Sequence, residues 1–173
     1  NAKLRQSAMN TGKETANFIG MRNNIFESET EEAKFPRSVG YSGAGIVTEI
    51  GKDVCDIKVG DKVVVYGGKH QRDITVNRNS VIKIPDGVST QEASMSYISI
   101  FPLAAIRKTK IEIGESGMVM GLGILGIFAV QQLKAAGAYP VIAVDPVAER
   151  RELALKLGAD FALDPTVDNF AEN

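Results

Sequence analysis

The sequence predicts a small β domain joined to the first half of a parallel α/β domain, so the chain combines two fold classes. From Val39 to Ile84, runs such as "GIVTEI", "DKVVVY" and "SVIKI" are separated by glycine pairs or Pro-Asp-Gly, which indicates short strands joined by turns. From about Lys110 the pattern becomes strand, helix, strand, helix, strand, and it ends with "FALD" at residues 161–164. We therefore predict a first domain at residues 1–108 and a second at residues 109–173.

A helical segment connects the two patterns and belongs to the first predicted domain. Ser89 and Glu92 form the Ser-x-x-Glu pattern of a capping box, which predicts that a helix begins there. Because proline lacks a backbone N–H, we expect Pro102 to kink or divide this helix before "IRKTK".

A glycine triplet with the spacing GxGxxG follows the first predicted strand of the second domain and opens a helix. In a dinucleotide site the first glycine permits a tight turn, the second lets the backbone reach the pyrophosphate, and the third permits close packing of helix and strand. The helix N-terminus would offer its N–H groups to the phosphates. A plain βα turn is the alternative, because this spacing also arises by chance. The predicted cofactor-binding residues of the loop are Gly121, Gly123, Ile124, Leu125 and Gly126.

Asp145 ends the next apolar run, "PVIAVDP", nineteen residues after Gly126. A carboxylate at this place accepts hydrogen bonds from the ribose hydroxyls of a dinucleotide. Asp145 is also a candidate N-cap for the helix "PVAERRELALKLGA", with Pro146 at the first helical position, and the two roles are compatible. We predict that Arg150 and Arg151 lie on the exposed face of this helix, with Arg150 a candidate to cover the adenosine edge of a nucleotide.

The composition excludes several classes of partner. Lysine and arginine number 20 against 21 acidic residues, so no basic field favours nucleic acid or a membrane surface. The sequence has no signal-peptide pattern and no apolar run long enough to span a bilayer, so we expect a cytoplasmic protein. A single cysteine, Cys55, excludes an internal disulfide, and we assign no chemistry to it. The single histidine, His70, is a weaker candidate for catalysis than for a structural role.

Three stretches taken together resemble a known family: "VGYSGAGIVTEIGKDVCDIKVGDKVVV", "VIKIPDGVSTQEAS" and "MVMGLGILGIFAVQQLKAAGAYPVIAVDPVAERRELALKLGAD". In this order and spacing they are similar to the medium-chain dehydrogenase/reductase superfamily, which includes the zinc-type alcohol dehydrogenases. The resemblance implies a GroES-like β-barrel catalytic domain joined to the first half of a Rossmann domain. It also implies a nicotinamide cofactor, hydride transfer to or from a small carbonyl or alcohol substrate, and a homo-oligomer, either a dimer or a tetramer.

The sequence departs from the zinc-dependent members at the positions where they carry metal ligands. Tyr41 and Ser42 stand where those members usually have His-Glu, Thr11 stands at the position of an earlier ligand cysteine, and a further ligand position falls near Tyr97. None of these side chains replaces imidazole or thiolate, so we predict that no zinc binds there. Lys13, Tyr41 and Tyr97 are then the candidate catalytic residues, as proton donors to the substrate oxygen, although a solvated lysine and a core tyrosine are the alternatives.

The predicted function is that of a zinc-independent oxidoreductase that uses NAD, with NADP as the alternative cofactor. Two other functions stay open: a quinone or enoyl reductase of activated double bonds, and a nucleotide-binding protein without catalysis. A complete dinucleotide fold has two βαβαβ halves, and only the first is recognisable here. The opening "NAKLRQSAMNTG" resembles the middle of a strand, so we expect a fragment that is incomplete at both ends.

Overall fold

A computed structural model describes residues 2–9 and 40–167 of this chain. The chain divides into two compact units, Asn1–Ile98 and Ser99–Asn173. Ile106 packs against the core of the second unit, so the later part of the connecting helix groups with that unit. The domain border after residue 108 stays a prediction.

The first unit contains a five-stranded sheet, as expected for the predicted β domain. Its strands are β1 (Ala2–Met9), β2 (Ser42–Ile50), β3 (Lys62–Tyr66), β4 (Asp73–Val76) and β5 (Val81–Lys83). The strands lie in the order β4-β1-β2-β3-β5, and every neighbouring pair is antiparallel. The strand predicted from the opening residues is confirmed as β1.

Side chains of β3 contribute to a core on each face of the sheet, because they alternate in direction along the strand. Val63 and Val65 are buried on one face, in a core completed by Val47, Ile57, Ile74 and Val81. Val64 packs on the opposite face, against a smaller core of Ala44, Ile84 and Ala93. Tyr66 follows Val64 by two residues and therefore projects from this second face.

The capping box predicted from the sequence is confirmed. The Ser89 hydroxyl accepts a hydrogen bond from the backbone N–H of Glu92 at 3.2 Å, and the Glu92 carboxylate accepts one from the N–H of Ser89 at 2.9 Å. The two bonds satisfy N–H groups that a helix start leaves without partners, and they fix the beginning of α1 (Thr90–Ser94).

The next helix, α2 (Ser96–Thr109), is not divided at Pro102 and continues through it. The break between helices lies at Met95, the C-cap of α1. A proline removes one backbone hydrogen bond, and the remaining bonds carry the helix onward. Among residues 2–9 and 40–167, no helix is both long and apolar enough to cross a membrane.

The second unit contains a three-stranded parallel sheet whose strands alternate with helices. Its elements are β6 (Gly117–Met120), α3 (Ile124–Ala135), β7 (Val141–Val144), α4 (Ala148–Lys156) and β8 (Phe161–Leu163). The strand order is β6-β7-β8, and both pairs are parallel. The loops after β6 and β7 therefore leave the same edge of the sheet, which is where α/β folds bind ligands. The predicted βαβαβ order is confirmed.

The beginning of α4 differs from the prediction. We expected Asp145 at the N-cap and Pro146 at the first helical position, whereas α4 begins at Ala148 with Val147 as its N-cap. An Asp145 carboxylate oxygen accepts a hydrogen bond from the Val147 N–H at 2.8 Å. Asp145 thus closes a turn before the helix, a bond to the backbone two residues onward that aspartate readily makes.

Candidate functional site

The loop between β6 and α3 contains the glycine triplet, and each glycine has a different environment. Gly121 has a φ of 89°, in the left-handed region that favours glycine, and its N–H donates to the Val144 carbonyl at 2.8 Å. A Cβ at Gly126 would lie 1.9 Å from the Gly121 carbonyl oxygen, so a glycine is needed for α3 to pack against the loop. A Cβ at Gly123 would meet no heavy atom within 4 Å, so the space beside this glycine is open.

The backbone N–H groups at the start of helix α3 have no side-chain cap. Gly123 is its N-cap and offers no side-chain acceptor, and the first intrahelical bond of this turn runs from the Ile127 N–H to the Gly123 carbonyl at 3.0 Å. The N–H groups of the first turn, including those of Ile124 and Leu125, have no acceptor within the helix. With the partial positive charge of the helix end, they form a site suited to phosphate.

Asp145 connects β7 to this loop and is 3% exposed. One carboxylate oxygen accepts a hydrogen bond from the Leu122 N–H at 2.7 Å, and the other accepts one from the Val147 N–H at 2.8 Å. The bond from Leu122 is the main cause that lowers the pKa of Asp145, against burial, which raises it; Val147 and Arg150 lower it further. Asp145 is therefore an anion at neutral pH, next to the glycine loop.

The two arginines of α4 have different surroundings. Both were predicted on the exposed face of the helix, and only Arg150 is exposed. The Arg150 side chain is 54% exposed and has a guanidinium nitrogen 3.6 Å from an Asp145 carboxylate oxygen. The Arg151 side chain is only 20% exposed; its guanidinium donates to the Asp145 backbone carbonyl at 2.7 Å and pairs with Asp164 at 2.9 Å. Arg151 thus joins the ends of β7 and β8, while Arg150 borders the predicted nucleotide site.

A groove of about 870 Å³ lies along β6 in the same unit, between α2 and α3. Its lining is largely apolar, with Phe101, Met118 and Leu133 among its residues, and it includes Gly121 and Gly126 but not Asp145. An ADP group needs donors for phosphate and an acceptor for ribose, so the Asp145 side of the loop suits it better than this groove.

Tyr41 and Tyr97 lie together in the first unit, as candidate residues of one site should. Tyr41 directly precedes β2, and its ring packs edge-on against the Tyr97 ring with centroids 5.6 Å apart. Tyr66, at the end of β3, lies on the Tyr97 ring with centroids 4.4 Å apart. A hydrogen bond with the Tyr66 hydroxyl, together with burial, raises the pKa of Tyr97 to about 12. Tyr97 therefore keeps its proton at neutral pH.

Three of the positions compared with zinc ligands, Tyr41, Ser42 and Tyr97, lie among the described residues. The Ser42 hydroxyl is buried and donates to the Ser94 carbonyl at 2.7 Å, so it is engaged in fixing α1 to the start of β2. Within residues 40–167, no group of three or more histidine, cysteine or acidic side chains could hold a metal. The phenols of Tyr41 and Tyr97 are poor zinc ligands compared with thiolate or imidazole. Lys13 and Thr11 lie outside the described residues.

Sequence reasoning missed two groups that the structure adds to the candidate sites. The Leu122 N–H binds Asp145 across 23 residues of sequence, and no local pattern indicates such a bond. Tyr66 pairs with Ser42 across β2 and β3, which places it beside Tyr41. The sequence indicated the strand "DKVVVY" and the strand "GIVTEI", but it did not give the register between them. With that register, Tyr66 could have been placed beside Tyr41.

Comparisons with known proteins agree with this division into units. The family described as "Alcohol dehydrogenase GroES-like domain" matches residues 12–86, and the family described as "Zinc-binding dehydrogenase" matches residues 125–173. D-guloside 3-dehydrogenase of Escherichia coli is 38% identical over 129 residues, which cover 73% of this chain and 37% of that protein.

Two solved structures have the same fold. The 2R,3R-butanediol dehydrogenase of Bacillus subtilis superposes with a TM-score of 0.78 at 26% identity, covering 97% of this chain and 57% of that one. The Escherichia coli quinone oxidoreductase complexed with NADPH superposes with a TM-score of 0.74 at 23% identity, covering 99% and 52%. The chain thus spans 37% of the curated relative and little more than half of either structure.

Proposed function

The chain belongs to the medium-chain dehydrogenase/reductase superfamily, and we propose that its second unit binds the ADP half of a nicotinamide dinucleotide. The observation that carries this proposal is the Asp145 carboxylate, held 2.7 Å from the Leu122 N–H inside the glycine loop. A buried anion at the carboxyl end of β7 and uncapped donors at the start of α3 are the two features that an adenosine diphosphate requires.

The residues present fit such a ligand. The open space beside Gly123 would let a pyrophosphate approach the backbone. The N–H groups of Ile124 and Leu125 would then donate hydrogen bonds to its oxygens. Each Asp145 oxygen accepts one backbone hydrogen bond, and a carboxylate oxygen can accept a second one, from a ribose hydroxyl. Arg150 would cover the edge of the adenosine.

NAD is the proposed cofactor, because Asp145 is anionic and would repel the 2′-phosphate of NADP. The exposed Arg150 is the feature that favours NADP as the alternative, since a guanidinium can bind a phosphate. The Escherichia coli quinone oxidoreductase of the same fold is a complex with NADPH, so this fold is compatible with NADPH.

The site for the ADP half predicts a specific pattern of competition. We expect the protein to bind NADH, observed through the fluorescence of the cofactor, and ADP-ribose to displace it. Nicotinamide mononucleotide at the same concentration should displace little, because it lacks the adenosine and one phosphate that the loop residues would hold. Absence of NADH binding, or NADH that ADP-ribose fails to displace, would refute the proposed site.

The proposed reaction is the transfer of a hydride between the nicotinamide and the carbon of a carbonyl or alcohol. In the reductive direction a carbonyl, NADH and one proton give an alcohol and NAD, so the protein must supply a proton to the substrate oxygen. Lys13, Tyr41 and Tyr97 are the proposed donors. Because the pKa of Tyr97 is raised to about 12, this residue would stabilise the oxygen as a protonated hydrogen-bond donor and would not abstract a proton at neutral pH.

We propose that this chemistry proceeds without zinc, because Tyr41, Ser42 and Tyr97 occupy the positions near which the zinc-dependent relatives hold the ion. A zinc ion would act as a Lewis acid on the substrate oxygen, and hydrogen-bond donors can replace part of that stabilisation. Each such donor contributes roughly 2.7 to 4 kcal/mol to the transition state.

The absence of zinc can be tested directly. Elemental analysis of the purified protein should find no stoichiometric zinc, and a chelator should leave its turnover unchanged. The combined variant Lys13→Ala, Tyr41→Phe, Tyr97→Phe should lose at least about a hundredfold in kcat, as expected for removal of an oxyanion donor. One tightly bound zinc per chain would refute the metal-free mechanism, and full activity of the variant would refute the donors.

An alcohol or its carbonyl is the preferred substrate class, because the relatives at 38% and 26% identity are named for a guloside and for butanediol. A reductase of activated double bonds and a nucleotide-binding protein without catalysis are the other candidates. Turnover assays over alcohols, aldehydes and enones with both cofactors distinguish the three. A cytoplasmic location and a homo-oligomer stay predictions.

A further inference from the structure

Tyr66 is the most exposed member of the tyrosine cluster, which consists of Tyr41, Tyr66 and Tyr97. It is 52% exposed, whereas Tyr41 and Tyr97 are half-buried. Antiparallel pairing places the last residue of β3 opposite the first residue of β2, so Tyr66 lies at the same end of the sheet as Tyr41. Tyr66 belongs neither to the proposed proton donors nor to the proposed cofactor site.

The Tyr66 ring is held in place by packing. Its centroid lies 4.4 Å from that of Tyr97 with the planes tilted by 33°, and the Tyr41 ring contacts Tyr97 edge-on at 5.6 Å and 70°. Both geometries are favourable for aromatic pairs. The cluster therefore holds the exposed Tyr66 ring in a fixed position, on the face of the sheet against which α1 packs.

Tyr66 can make a further hydrogen bond beyond its contact with Tyr97. The hydrogen bond between the two hydroxyls raises the pKa of Tyr97, so Tyr97 keeps its proton at neutral pH. A phenol hydroxyl has one proton and two lone pairs, so one hydrogen bond leaves the Tyr66 hydroxyl able to make another one. Tyr66 thus combines a partly exposed ring with a hydroxyl that can bind a ligand.

We propose that Tyr66 contacts the substrate and selects a hydroxyl-rich ring, such as a sugar or its glycoside, with Tyr97 as the residue that positions it. A pyranose has C–H groups on its faces and hydroxyls around its edge, so the Tyr66 ring would cover one face while its phenol binds one hydroxyl. An acyclic diol has no comparable face. A quinone has only carbonyl acceptors at its edge, whereas a sugar hydroxyl can both donate to and accept from the Tyr66 phenol. This inference rests on the proposed oxidoreductase function and narrows its substrate class.

The test compares Tyr66→Phe, which keeps the ring, with Tyr66→Ala, which removes it. Methyl glycosides of D-hexoses are titrated into the NADH-loaded protein, with 2,3-butanediol as the acyclic probe. We expect Tyr66→Phe to weaken methyl hexoside binding about tenfold and Tyr66→Ala to weaken it further, while NADH binding changes less than about twofold. Tyr139→Phe is the matched control, because Tyr139 is 63% exposed and lies in the second unit beside Lys134.

A phenolate absorbance titration reports on the positioning by Tyr97. Tyr66→Phe should bring the tyrosine that titrates at about 12 back toward 10, and Tyr139→Phe should leave it in place. The inference is overturned if no methyl hexoside binds to NADH-loaded wild-type protein, or if both Tyr66 variants bind the hexosides like the wild type. It is also overturned if Tyr66→Ala weakens the binding of butanediol by the same factor as the binding of the hexosides. A wild-type protein that does not bind NADH refutes the proposed function instead.

Discussion

Replacing Gly126 with alanine should destabilise the second unit and weaken NADH binding together. The new Cβ would lie 1.9 Å from the Gly121 carbonyl oxygen and 3.0 Å from its carbon, and both atoms belong to the backbone. Backbone cannot move aside as the end of a side chain can, so either α3 or the turn at Gly121 must shift. We expect a loss of about 3 kcal/mol in the free energy of unfolding and at least about a tenfold weaker affinity for NADH.

The matched variant is Gly123→Ala, which separates ligand binding from folding. Gly123 has a φ of −70°, which alanine adopts readily, and a Cβ there meets no heavy atom within 4 Å. The expected loss in stability is at most about 1 kcal/mol, the cost of alanine at an N-cap. NADH affinity should nevertheless fall about tenfold or more, because the methyl group would occupy the space through which a pyrophosphate reaches the backbone.

Denaturant unfolding and NADH titration of both variants decide between the two interpretations of the triplet. If Gly123→Ala binds NADH as well as the wild type does, the loop does not hold the pyrophosphate. A loss of stability confined to Gly126→Ala would then mean that the triplet is a plain βα turn.

The order of elements was predictable because the signals for it are local. The glycines at 121 and 137 bracket an apolar run of helical length, and the helix occupies Ile124–Ala135 as the run indicates. The capping box of Ser89 is equally local, since both of its bonds lie within three residues of sequence. Signals of this kind require no knowledge of the tertiary structure.

Predictions that depend on competition between neighbouring bonds were less accurate. The Asp145 carboxylate could cap α4 or close a turn. It closes the turn, because it accepts a hydrogen bond from the Val147 N–H two residues onward. Pro102 was expected to kink or divide the helix, and the division lies at Met95 instead. One lost backbone bond is a small term beside the packing of the remaining helix, and the sequence does not display that packing.

The candidate sites depend on contacts between residues distant in sequence, so they were predicted only in part. Gly121 and Asp145 could be predicted, because the GxGxxG spacing and the acidic residue after the next strand are typical of a dinucleotide site. The bond from the Leu122 N–H to Asp145 and the stacking of Tyr66 on Tyr97 depend on strand register and loop conformation. A one-residue change of register in β3 would turn Tyr66 to the opposite face of the sheet, so residue type alone could not identify it.

The other large effect is expected from Asp145→Ser, which should reduce the preference for NADH over NADPH. The wild-type carboxylate would repel a 2′-phosphate and bind a 2′-hydroxyl, and serine does neither as strongly. We expect the ratio of the two dissociation constants to change about tenfold, a difference of about 1.4 kcal/mol. Tighter binding of NADPH by the wild type, or an unchanged ratio in the variant, would contradict the assignment of Asp145 to the ribose.

Asp160→Ser is the matched control, because Asp160 has a similar structural role away from the loop. Its carboxylate accepts a hydrogen bond from the Val141 N–H at 2.8 Å and pairs with Lys134 at 2.6 Å, and its pKa is lowered first by that lysine. This variant should be destabilised without any change in the ratio of NADH to NADPH binding. A change in both variants would indicate a general disturbance of the second unit.

Asp145→Ser should also lower stability, and the size of the loss should depend on pH. The buried Leu122 N–H would lose a charged acceptor, which costs about 2 kcal/mol at neutral pH. The pKa of Asp145 is lower in the folded state than its unfolded value of about 3.9, chiefly because of this bond. The stabilisation is therefore complete above about pH 4 and is lost as the pH falls through the folded-state pKa. The difference in unfolding free energy between wild type and variant should thus stay constant above about pH 5 and shrink as the pH falls below about 4. A difference that stays constant down to acidic pH would mean that the Asp145 charge does not hold the loop.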